Sequence, residues 1–416
     1  MSKAGMEFKS HKLKNGLTVI GEVNKSAKST AVGFFVKTGS RDEDLKINGV
    51  SHFLEHMVFK GTERLSPFAV NEAFDKTGAQ YNAFTSEEGT VFYAAVLPEY
   101  LAEITQLWIE MMRPALRTED FNIEKQVIKE EIAMYKDQPS FDVMDRCRAI
   151  YFAGHPCGHS VLGSEESIDA MTAEQMRGYF SRRYAPNNMV AAFAGNFEWE
   201  RIRDMVEAGC GDWKNQDVKR TITDTRGARG KQRLDKANLT REHICLMSPA
   251  VSAQSDKRFA AALLSMIVGD DVGSRFFWEL VDKAIVETAS FDFAPMDGTG
   301  AYCTYVRCSG ENTAKAMKIV ASIFVDLTKT GVTEDELTKA KNKVLSAFVI
   351  KNEIPMGRLV DLGFNWTYLG QYRPVEEDVK AVKAVTVAEI NAILKDYPLG
   401  EFAQFSLGPA QNSQKT

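Results

Sequence analysis

The stretch Gly49-Val-Ser-His-Phe-Leu-Glu-His-Met-Val-Phe-Lys-Gly61 contains the pattern His-x-x-Glu-His, formed by His52, Glu55 and His56. On a helix, residues i and i+4 lie on one face, so His52 and His56 can bind one ion together. Glu55 lies next to that face and can reach a water molecule held by the ion. Because a catalytic zinc usually takes a third protein ligand plus water, the pattern predicts a zinc site with one more ligand elsewhere.

The flanks of this stretch predict a short helix. Ser51 can serve as the N-cap, and Gly61 can take the left-handed conformation that often follows a helix. The alternative is an ordinary helix whose surface histidines bind no metal. With only six histidines in 416 residues, a chance occurrence of the pattern is rare, and the metal site is the better interpretation.

The length of the chain predicts two domains, because 416 residues exceed one ordinary hydrophobic core. A polar, charged segment at 214–233 includes Arg226-Gly-Ala-Arg-Gly230 and shows almost no apolar periodicity. We therefore expect a metal-bearing domain at 1–213, a solvated linker at 214–233 and a second domain at 234–416.

Composition and charge exclude several classes of protein. Hydrophobic residues make up 44% of the chain and charged residues 26%, as in soluble globular proteins. The net charge of −5, from 51 basic and 56 acidic residues, argues against nucleic-acid binding. No apolar run reaches the roughly 18–20 residues that span a bilayer, and the first residues lack the apolar core of a signal peptide. We expect no membrane partner and a cytoplasmic location.

The six cysteines agree with a reducing compartment, because they form no Cys-x-x-Cys pair and no dense framework. Cys303 and Cys308 differ by an odd number on a predicted strand, so they should point to opposite faces of its sheet. We interpret the cysteines as buried free thiols.

The order of the predicted elements suggests a duplication. In the first half, Lys14-Asn15-Gly16 joins two strands of a hairpin, and further strands are predicted at 31–37, 80–85, 90–96 and 189–194. In the second half, Thr333-Glu-Asp335 opens a long helix as Thr118-Glu-Asp120 does earlier. The second half contains a single histidine, His243, so only the first half can hold the paired-histidine metal site.

The third metal ligand is expected from the helix that starts at Thr118, which contains Glu124, Glu130 and Glu131. Glu124 and Glu131 are two turns apart on one face, whereas Glu130 projects about 100° away from Glu131. A charged helix of this kind is ordinarily just solvated. Helix geometry alone favours neither Glu130 nor Glu131 as the ligand.

Together these motifs resemble the pitrilysin-type inverzincin metallopeptidases, and most closely the branch of the mitochondrial processing peptidase β subunit and its bacterial relatives. The resemblance covers essentially the whole first half and is looser in the second. It rests on the residues Asn15-Gly-Leu17, His52-Phe-Leu-Glu-His-Met-Val-Phe-Lys-Gly-Thr62, Asn82-Ala-Phe-Thr-Ser86, Glu124-Lys-Gln-Val-Ile-Lys-Glu-Glu-Ile132 and Tyr184-Ala-Pro-Asn-Asn188.

The resemblance implies an α+β fold of two similar domains, each an antiparallel sheet with helices packed on it, the second being metal-free and enclosing the substrate. It implies Zn²⁺ as cofactor, with His52, His56 and Glu131 as ligands and Glu124 holding them. It also implies an endopeptidase acting on unfolded peptides, in which Glu55 is the general base on zinc-bound water.

The resemblance further implies that Asn82, Ala83 and Phe84 lie on an edge strand that pairs with the substrate backbone. The family's substrate-binding Arg and Tyr align with Val281 and Thr288, neither of which can perform that role. Arg275 precedes them and is a poor substitute. The missing pair implies a dimeric clamshell, with either a second polypeptide that carries Arg and Tyr or an identical chain.

Two other interpretations remain at this stage. The first is a non-catalytic core or assembly subunit, or a peptide-binding chaperone, although a complete His52, Glu55, His56 and Glu131 set favours the enzyme. The second concerns His155-Pro-Cys-Gly-His159, which could form a small metal site. Pro156 and Gly158 disfavour a helix there, so we expect loop histidines with a structural role.

Overall fold

The structure is a computed structural model and describes residues 6–410. Within these residues, eleven strands form two sheets. They are β1 Met6–Lys12, β2 Thr18–Asn24, β3 Thr30–Val36, β4 Gln80–Thr85, β5 Thr90–Val96, β6 Met189–Gly195, β7 Gly230–Asp235, β8 Glu242–Pro249, β9 Thr288–Met296, β10 Thr299–Cys308 and β11 Ala403–Gly408.

Fourteen α-helices accompany these strands in the described residues. They are α1 Val50–Val58, α2 Pro67–Thr77, α3 Leu101–Met111, α4 Thr118–Lys136, α5 Pro139–Tyr151, α6 Glu165–Ala170, α7 Ala173–Arg183, α8 Trp199–Cys210, α9 Arg258–Gly269, α10 Thr313–Thr330, α11 Glu334–Asn352, α12 Pro355–Leu369, α13 Val375–Ala384 and α14 Val387–Asp396. No helix in the described part of the chain is long and apolar enough to cross a membrane.

The chain forms two compact units, and each of them uses separate segments of sequence. The first unit contains the residues up to Ile132, His159–Thr221 and Phe348–Val375. The second contains Ala133–Gly158, Ile222–Ala347 and the described residues from Glu376 onward. Each unit therefore includes a segment from the opposite half of the chain, and the boundaries 1–213, 214–233 and 234–416 stay a prediction.

The first unit is built on a six-stranded sheet in the order β1-β2-β6-β3-β5-β4, in which only β2 and β6 are parallel. Side chains of a strand alternate between faces, so Phe34 of β3 joins the core under α1, α3 and α4. Phe35 points to the other face, where it packs with Leu359 and Leu362 of α12. Strand β4 forms one edge of the sheet.

The second unit repeats this topology with five strands in the order β7-β11-β8-β10-β9, in which only β7 and β11 are parallel. Helices α9, α10 and α14 pack on one face, which carries Ile244 and Leu246 of β8. Helix α5 packs on the other face, against Cys245, Met247 and Phe405. The predicted α+β fold with two similar sheet units is confirmed, but each sheet is mixed, with one parallel pair of strands, rather than purely antiparallel.

The predicted start of the metal-binding helix is wrong by two residues. The N-cap of α1 is Gly49, and Ser51 lies inside the first turn with its hydroxyl 2.8 Å from the Tyr179 hydroxyl. The helix ends at Val58, and the left-handed Gly61 follows three residues later. Ser51 does not cap the helix, because its buried hydroxyl contacts the Tyr179 hydroxyl instead.

The segment predicted as a solvated linker is partly held in place. It has no regular secondary structure until β7 begins at Gly230. Within the second unit, the Ala228 amide donates to the Tyr151 carbonyl over 2.6 Å, and the Arg226 guanidinium lies 4.1 Å from the centre of the Tyr397 ring. The residues after 221 are therefore bound to protein groups rather than surrounded by water alone.

Candidate metal centre

Helix α1 places His52, Glu55 and His56 at the edge of the hydrophobic core of the first unit. Its apolar residues, including Phe53 and Leu54, are fully buried, and the Phe53 ring stacks on Phe121 of α4 at a centroid distance of 4.8 Å. This packing fixes α1 against α4. His52 and His56 follow each other by one turn, with ring centroids 4.8 Å apart.

Helix α4 brings Glu131 to the two histidines. Its Phe121, Ile128 and Ile132 are buried, which orients Glu131 inward and leaves Glu130 exposed. Glu131 Oε1 is 3.7 Å from His52 Nε2, and Glu131 Oε2 is 3.4 Å from His56 Nε2. The side-chain choice that helix geometry left open thus falls on Glu131 rather than Glu130.

The spacing of these atoms fits a metal ion. Distances of 3.4 and 3.7 Å are too long for good hydrogen bonds. Ligand atoms about 2.1 Å from a tetrahedral zinc ion lie about 3.4 Å from one another. His52, His56 and Glu131 are the one such group of metal-ligating side chains among residues 6–410, with ligand atoms within 4.8 Å of one another.

Glu124 lies two helical turns before Glu131 and binds Nδ1 of His56, the ring nitrogen that does not face Glu131. The His56 Nδ1–H donates to Glu124 Oε1 over 2.8 Å, so Nε2, which faces Glu131, is the nitrogen that can bind a metal once it has lost its proton. The other oxygen of Glu124 forms an ion pair with Lys60. A carboxylate on the outer nitrogen of a metal-binding histidine fixes its tautomer and ring orientation.

The two histidines differ in basicity. Burial, with the neighbouring His56, lowers the pKa of His52 to about 4. Burial alone would also lower the pKa of His56, but the carboxylates of Glu124 and Glu131 raise it to about 9. Burial opposes ionisation of Glu131, yet the two histidines lower its pKa below the usual value. The site is therefore strongly suited to a cation.

Glu55 lies beside this cluster and is oriented from the edge strand. The Thr85 hydroxyl, at the end of β4, donates to Glu55 Oε2 over 2.6 Å. Burial raises the pKa of Glu55, and the Thr85 hydrogen bond works in the opposite direction. A carboxylate with a raised pKa is better matched to taking up a proton near neutral pH.

The predicted substrate-binding residues lie on that same edge strand. Asn82 is exposed, Phe84 is half-buried and Ala83 is buried, and β4 pairs with β5 alone among the strands of residues 6–410. The outer edge of β4 thus offers backbone groups for pairing with an extended chain. Their role in substrate binding stays a prediction.

The alternative metal site at His155 and His159 is not formed. His155 Nε2 is 3.2 Å from the Thr223 carbonyl, and its Nδ1 accepts the Cys157 amide over 3.2 Å. His159 Nδ1 lies 3.1 Å from the Ser40 carbonyl. Both histidines hold loop backbone, as expected for structural residues.

Arg275 is engaged by an acidic partner in the second unit. Its Nε and Nη2 contact the two carboxylate oxygens of Glu336 at 2.7 and 3.0 Å, and Nη2 also donates to the Gly331 carbonyl over 2.9 Å. This bidentate pair holds the start of α11. Val281 is half-buried against the core, and Thr288 begins β9.

Two residues that contribute to the site were not predicted from the sequence. Thr85 belongs to the motif that starts at Asn82, but its contact with Glu55 joins residues thirty positions apart. Lys60 follows His56 by four residues and lies in the turn just after α1 ends at Val58, and this spacing was a usable signal for a partner of Glu124.

Comparison with known proteins agrees with this geometry. Residues 18–165 match the family model described as insulinase (peptidase family M16), and residues 170–344 match the peptidase M16 inactive domain. An uncharacterized zinc protease of Mycobacterium tuberculosis is 30% identical over 404 residues, covering 95% of this chain and 92% of that protein. One of Bacillus subtilis is 27% identical over 407 residues, covering 97% and 99%.

Solved structures share the fold at lower identity. A protease from Helicobacter pylori superposes with a TM-score of 0.90 at 21% identity, covering 97% of this chain and all of that one. A chain of complex III from Candida albicans gives 0.82 at 19% identity, covering 96% and 95%. With the His52, His56 and Glu131 cluster, the relatives identify the metal as Zn²⁺. The chain belongs to the M16 (insulinase/pitrilysin) family of zinc peptidases.

Proposed function

We propose that this chain is a zinc endopeptidase that hydrolyses unfolded peptides, with Glu55 as general base. The observation that carries the proposal is the hydrogen bond from Thr85 to Glu55. It links the carboxylate beside the metal cluster to the edge strand that would bind the substrate. Catalytic group and substrate strand are thereby connected through one side chain.

Each residue of the cluster has a distinct role in this proposal. His52, His56 and Glu131 would hold the zinc ion, which supplies the positive charge that polarises a peptide carbonyl and acidifies water. Glu55 takes the proton of the attacking water and delivers it to the departing amine. Glu124 keeps His56 in the tautomer that presents Nε2.

The substrate would bind as an added strand along β4. Asn82, Ala83 and Phe84 offer the outer edge of the sheet, and their main-chain groups read a backbone rather than a particular side chain. Only an extended segment can pair in this way. Unfolded peptides are therefore the proposed substrates, and folded domains are excluded.

We also propose that the active form is a dimer with a subunit of the same fold. Support comes from Val281 and Thr288, which replace the Arg and Tyr that the family uses on the substrate carbonyl. Arg275 cannot easily replace them because Glu336 binds its guanidinium at 2.7 and 3.0 Å. A partner polypeptide with the Arg–Tyr pair would complete the site, and an identical chain is the other possibility.

A cytoplasmic location is part of the proposal as well. It is supported by the six cysteines, none of which is joined in a disulfide. Oxidising compartments favour their conversion to disulfides.

The decisive experiment is hydrolysis of an unstructured fluorogenic peptide by the purified chain, with and without a candidate partner. Activity should require zinc, disappear with a chelator and return when zinc is restored. A parallel assay with a folded protein that contains the sequence of this peptide should show no cleavage. A zinc-loaded chain that binds the peptide but never cleaves it, with any partner of this fold, would instead indicate a non-catalytic core or peptide-binding subunit.

A further inference from the structure

The helix that carries His52, Glu55 and His56 begins without a side-chain cap of its own. Its N-cap residue is Gly49, which has a φ of +93°. A Cβ atom at this position would lie 2.6 Å from the Leu162 carbonyl oxygen, so the position requires glycine. The free amides at the start of α1 must therefore find acceptors elsewhere in the protein.

Glu43 supplies these acceptors from six residues upstream. Its Oε2 accepts the Gly49 amide and its Oε1 accepts the Ser51 amide, both over 2.7 Å. Oε2 also accepts the Asn48 side-chain amide over 2.8 Å. Glu43 is only 6% exposed. A carboxylate that grips two amides of one helix start fixes both the position and the rotation of that helix, and it also complements the helix dipole.

The surrounding turn is tied down in the same region. Asn48, which Glu43 binds, also donates to the Ser160 carbonyl over 3.0 Å, and its own carbonyl accepts the Ser167 hydroxyl over 2.8 Å. The peptide that leads into α1 is thus attached both to Glu43 and to the start of α6. The carboxylate acts on a rigid turn rather than on a loose loop.

A second set of contacts holds the first turn from another side. The Tyr179 hydroxyl of α7 lies 2.8 Å from both the Ser51 and the Thr38 hydroxyls, and all three groups are buried. Ser51 is adjacent to His52 in sequence. The turn that presents His52 is therefore fixed at Ser51 from two sides. Glu43 binds the Ser51 amide, and Tyr179 binds the Ser51 hydroxyl.

We propose that Glu43 is a positioning residue for the zinc centre: its carboxylate sets the rotation of α1, and thereby the geometry of His52, Glu55 and His56. The part of this inference that concerns catalysis rests on the proposed peptidase function. The part that concerns the metal does not, because zinc affinity and ligand geometry can be measured without turnover. Glu43 is not among the metal-ligating side chains and acts on them through the amides of Gly49 and Ser51.

The test uses Glu43→Gln in the full chain. Glutamine keeps the shape but offers one acceptor oxygen, so one of the two amides loses its partner. We expect zinc affinity, measured by competition with a chelator, to fall about tenfold, as for outer contacts of metal sites. The visible spectrum of the cobalt-substituted protein should change, and kcat should fall about tenfold or more with KM nearly unchanged, because the catalytic groups are displaced.

Two controls separate positioning from general stability. Val206→Ala removes buried methyl groups from α8 in the same unit, so it should lower the unfolding temperature while leaving zinc affinity and the cobalt spectrum as in the wild type. Glu63→Gln removes an exposed carboxylate and should change none of these properties. Should Glu43→Gln fail to fold, Glu43→Asp, which retracts the carboxylate by one methylene, should show the same changes in affinity and spectrum.

A folded Glu43→Gln or Glu43→Asp protein with wild-type zinc affinity and an unchanged cobalt spectrum would overturn the inference. The measurements of zinc affinity and of the cobalt spectrum do not depend on the peptidase proposal. If the wild-type chain binds zinc yet cleaves no peptide, the proposed function fails, while the difference in zinc affinity and cobalt spectrum between wild type and variant still decides the role of Glu43.

Discussion

The Thr85 hydroxyl donates a 2.6 Å hydrogen bond to Glu55 Oε2, and so connects the last residue of the edge strand to the carboxylate beside the metal cluster. Thr85→Val should leave zinc bound but lower kcat about tenfold or more, since a hydrogen bond to a charged group is lost. The pKa of Glu55, raised by burial and lowered by Thr85, should rise further, so the acidic limb of the kcat/KM profile should move to higher pH.

Thr85→Ser is the matched control for this prediction, because it retains the hydroxyl and should behave like the wild type. A Thr85→Val enzyme with normal kcat and an unshifted pH profile would show that the hydrogen bond has no catalytic role.

Glu55→Gln removes the base while keeping the size of the side chain. Zinc content should be unchanged, and turnover should fall by about 10²–10⁴, the range for loss of a positioned base. Metal analysis of the same sample used for the assay makes the comparison direct. Appreciable activity in the zinc-loaded variant would rule out Glu55 as the base.

Glu131 and Glu130 are adjacent but face different surroundings, because Glu131 contacts both histidines and Glu130 is exposed. Glu131→Ala should lose most of its zinc after dialysis, whereas Glu130→Ala should keep it. Each variant replaces one glutamate of α4 by alanine, so each controls for the loss of charge and side-chain length in the other. The reverse order of zinc content would move the ligand to Glu130.

Zinc binding should depend on pH through His56. Its pKa is raised to about 9, so it carries a proton below that pH in the metal-free protein. The pKa of His52 is lowered to about 4, so His52 is already neutral above that pH. Between these values one proton must leave as zinc binds, and apparent affinity should fall about tenfold for each pH unit of acidification.

Calorimetry in buffers of different ionisation enthalpy measures this proton directly. Glu124→Gln should weaken the effect, because it removes one carboxylate that holds the proton on His56. Zinc binding without proton release at neutral pH would contradict the prediction.

Arg275→Ala should act on stability and not on catalysis. Loss of the bidentate contact with Glu336 should cost about 1–3 kcal/mol of unfolding free energy, because the contact is a charge-assisted hydrogen-bonded pair.

The pure chain should be nearly idle, since the loss of one oxyanion donor typically costs about 10²–10³ in rate. A partner with intact Arg and Tyr should restore activity.

The partner's Arg→Ala and Tyr→Phe variants are the controls, and both should fail to activate. Strong activity of the pure chain that no partner changes would exclude the heterodimer. If Arg275→Ala then abolished that activity without loss of folding, an identical chain would become the preferred partner.

The sequence predicted those parts of the fold that depend on local pattern. The hairpin at Asn15-Gly16, the strands that became β4 and β5, and the helix Thr118–Lys136 all carry their own turn or cap signals. Spacing on one helix also brought His52 and His56 together. The choice of Glu131 over Glu130 needed the resemblance, because it depends on which face of α4 is buried.

Other features were out of reach because they join distant positions. Nothing near Glu43 in the sequence shows that it caps a helix six residues later, and Ser51 was the more obvious candidate for that role. The contact of Thr85 with Glu55 likewise depends on how β4 lies beside α1. The packing of α12 on the first sheet depends on a contact between Leu359 and Phe35, more than three hundred residues apart.

That last contact means that the metal-bearing half of the chain is not a self-sufficient fragment. A truncated product that ends at residue 213 would retain His52, His56 and Glu131, yet it would lack the helix that shields Ile20, Phe35 and Val190 from water. Such a fragment would present a bare apolar sheet face and should aggregate. A minimal catalytic version of this enzyme would therefore have to include residues 348–375.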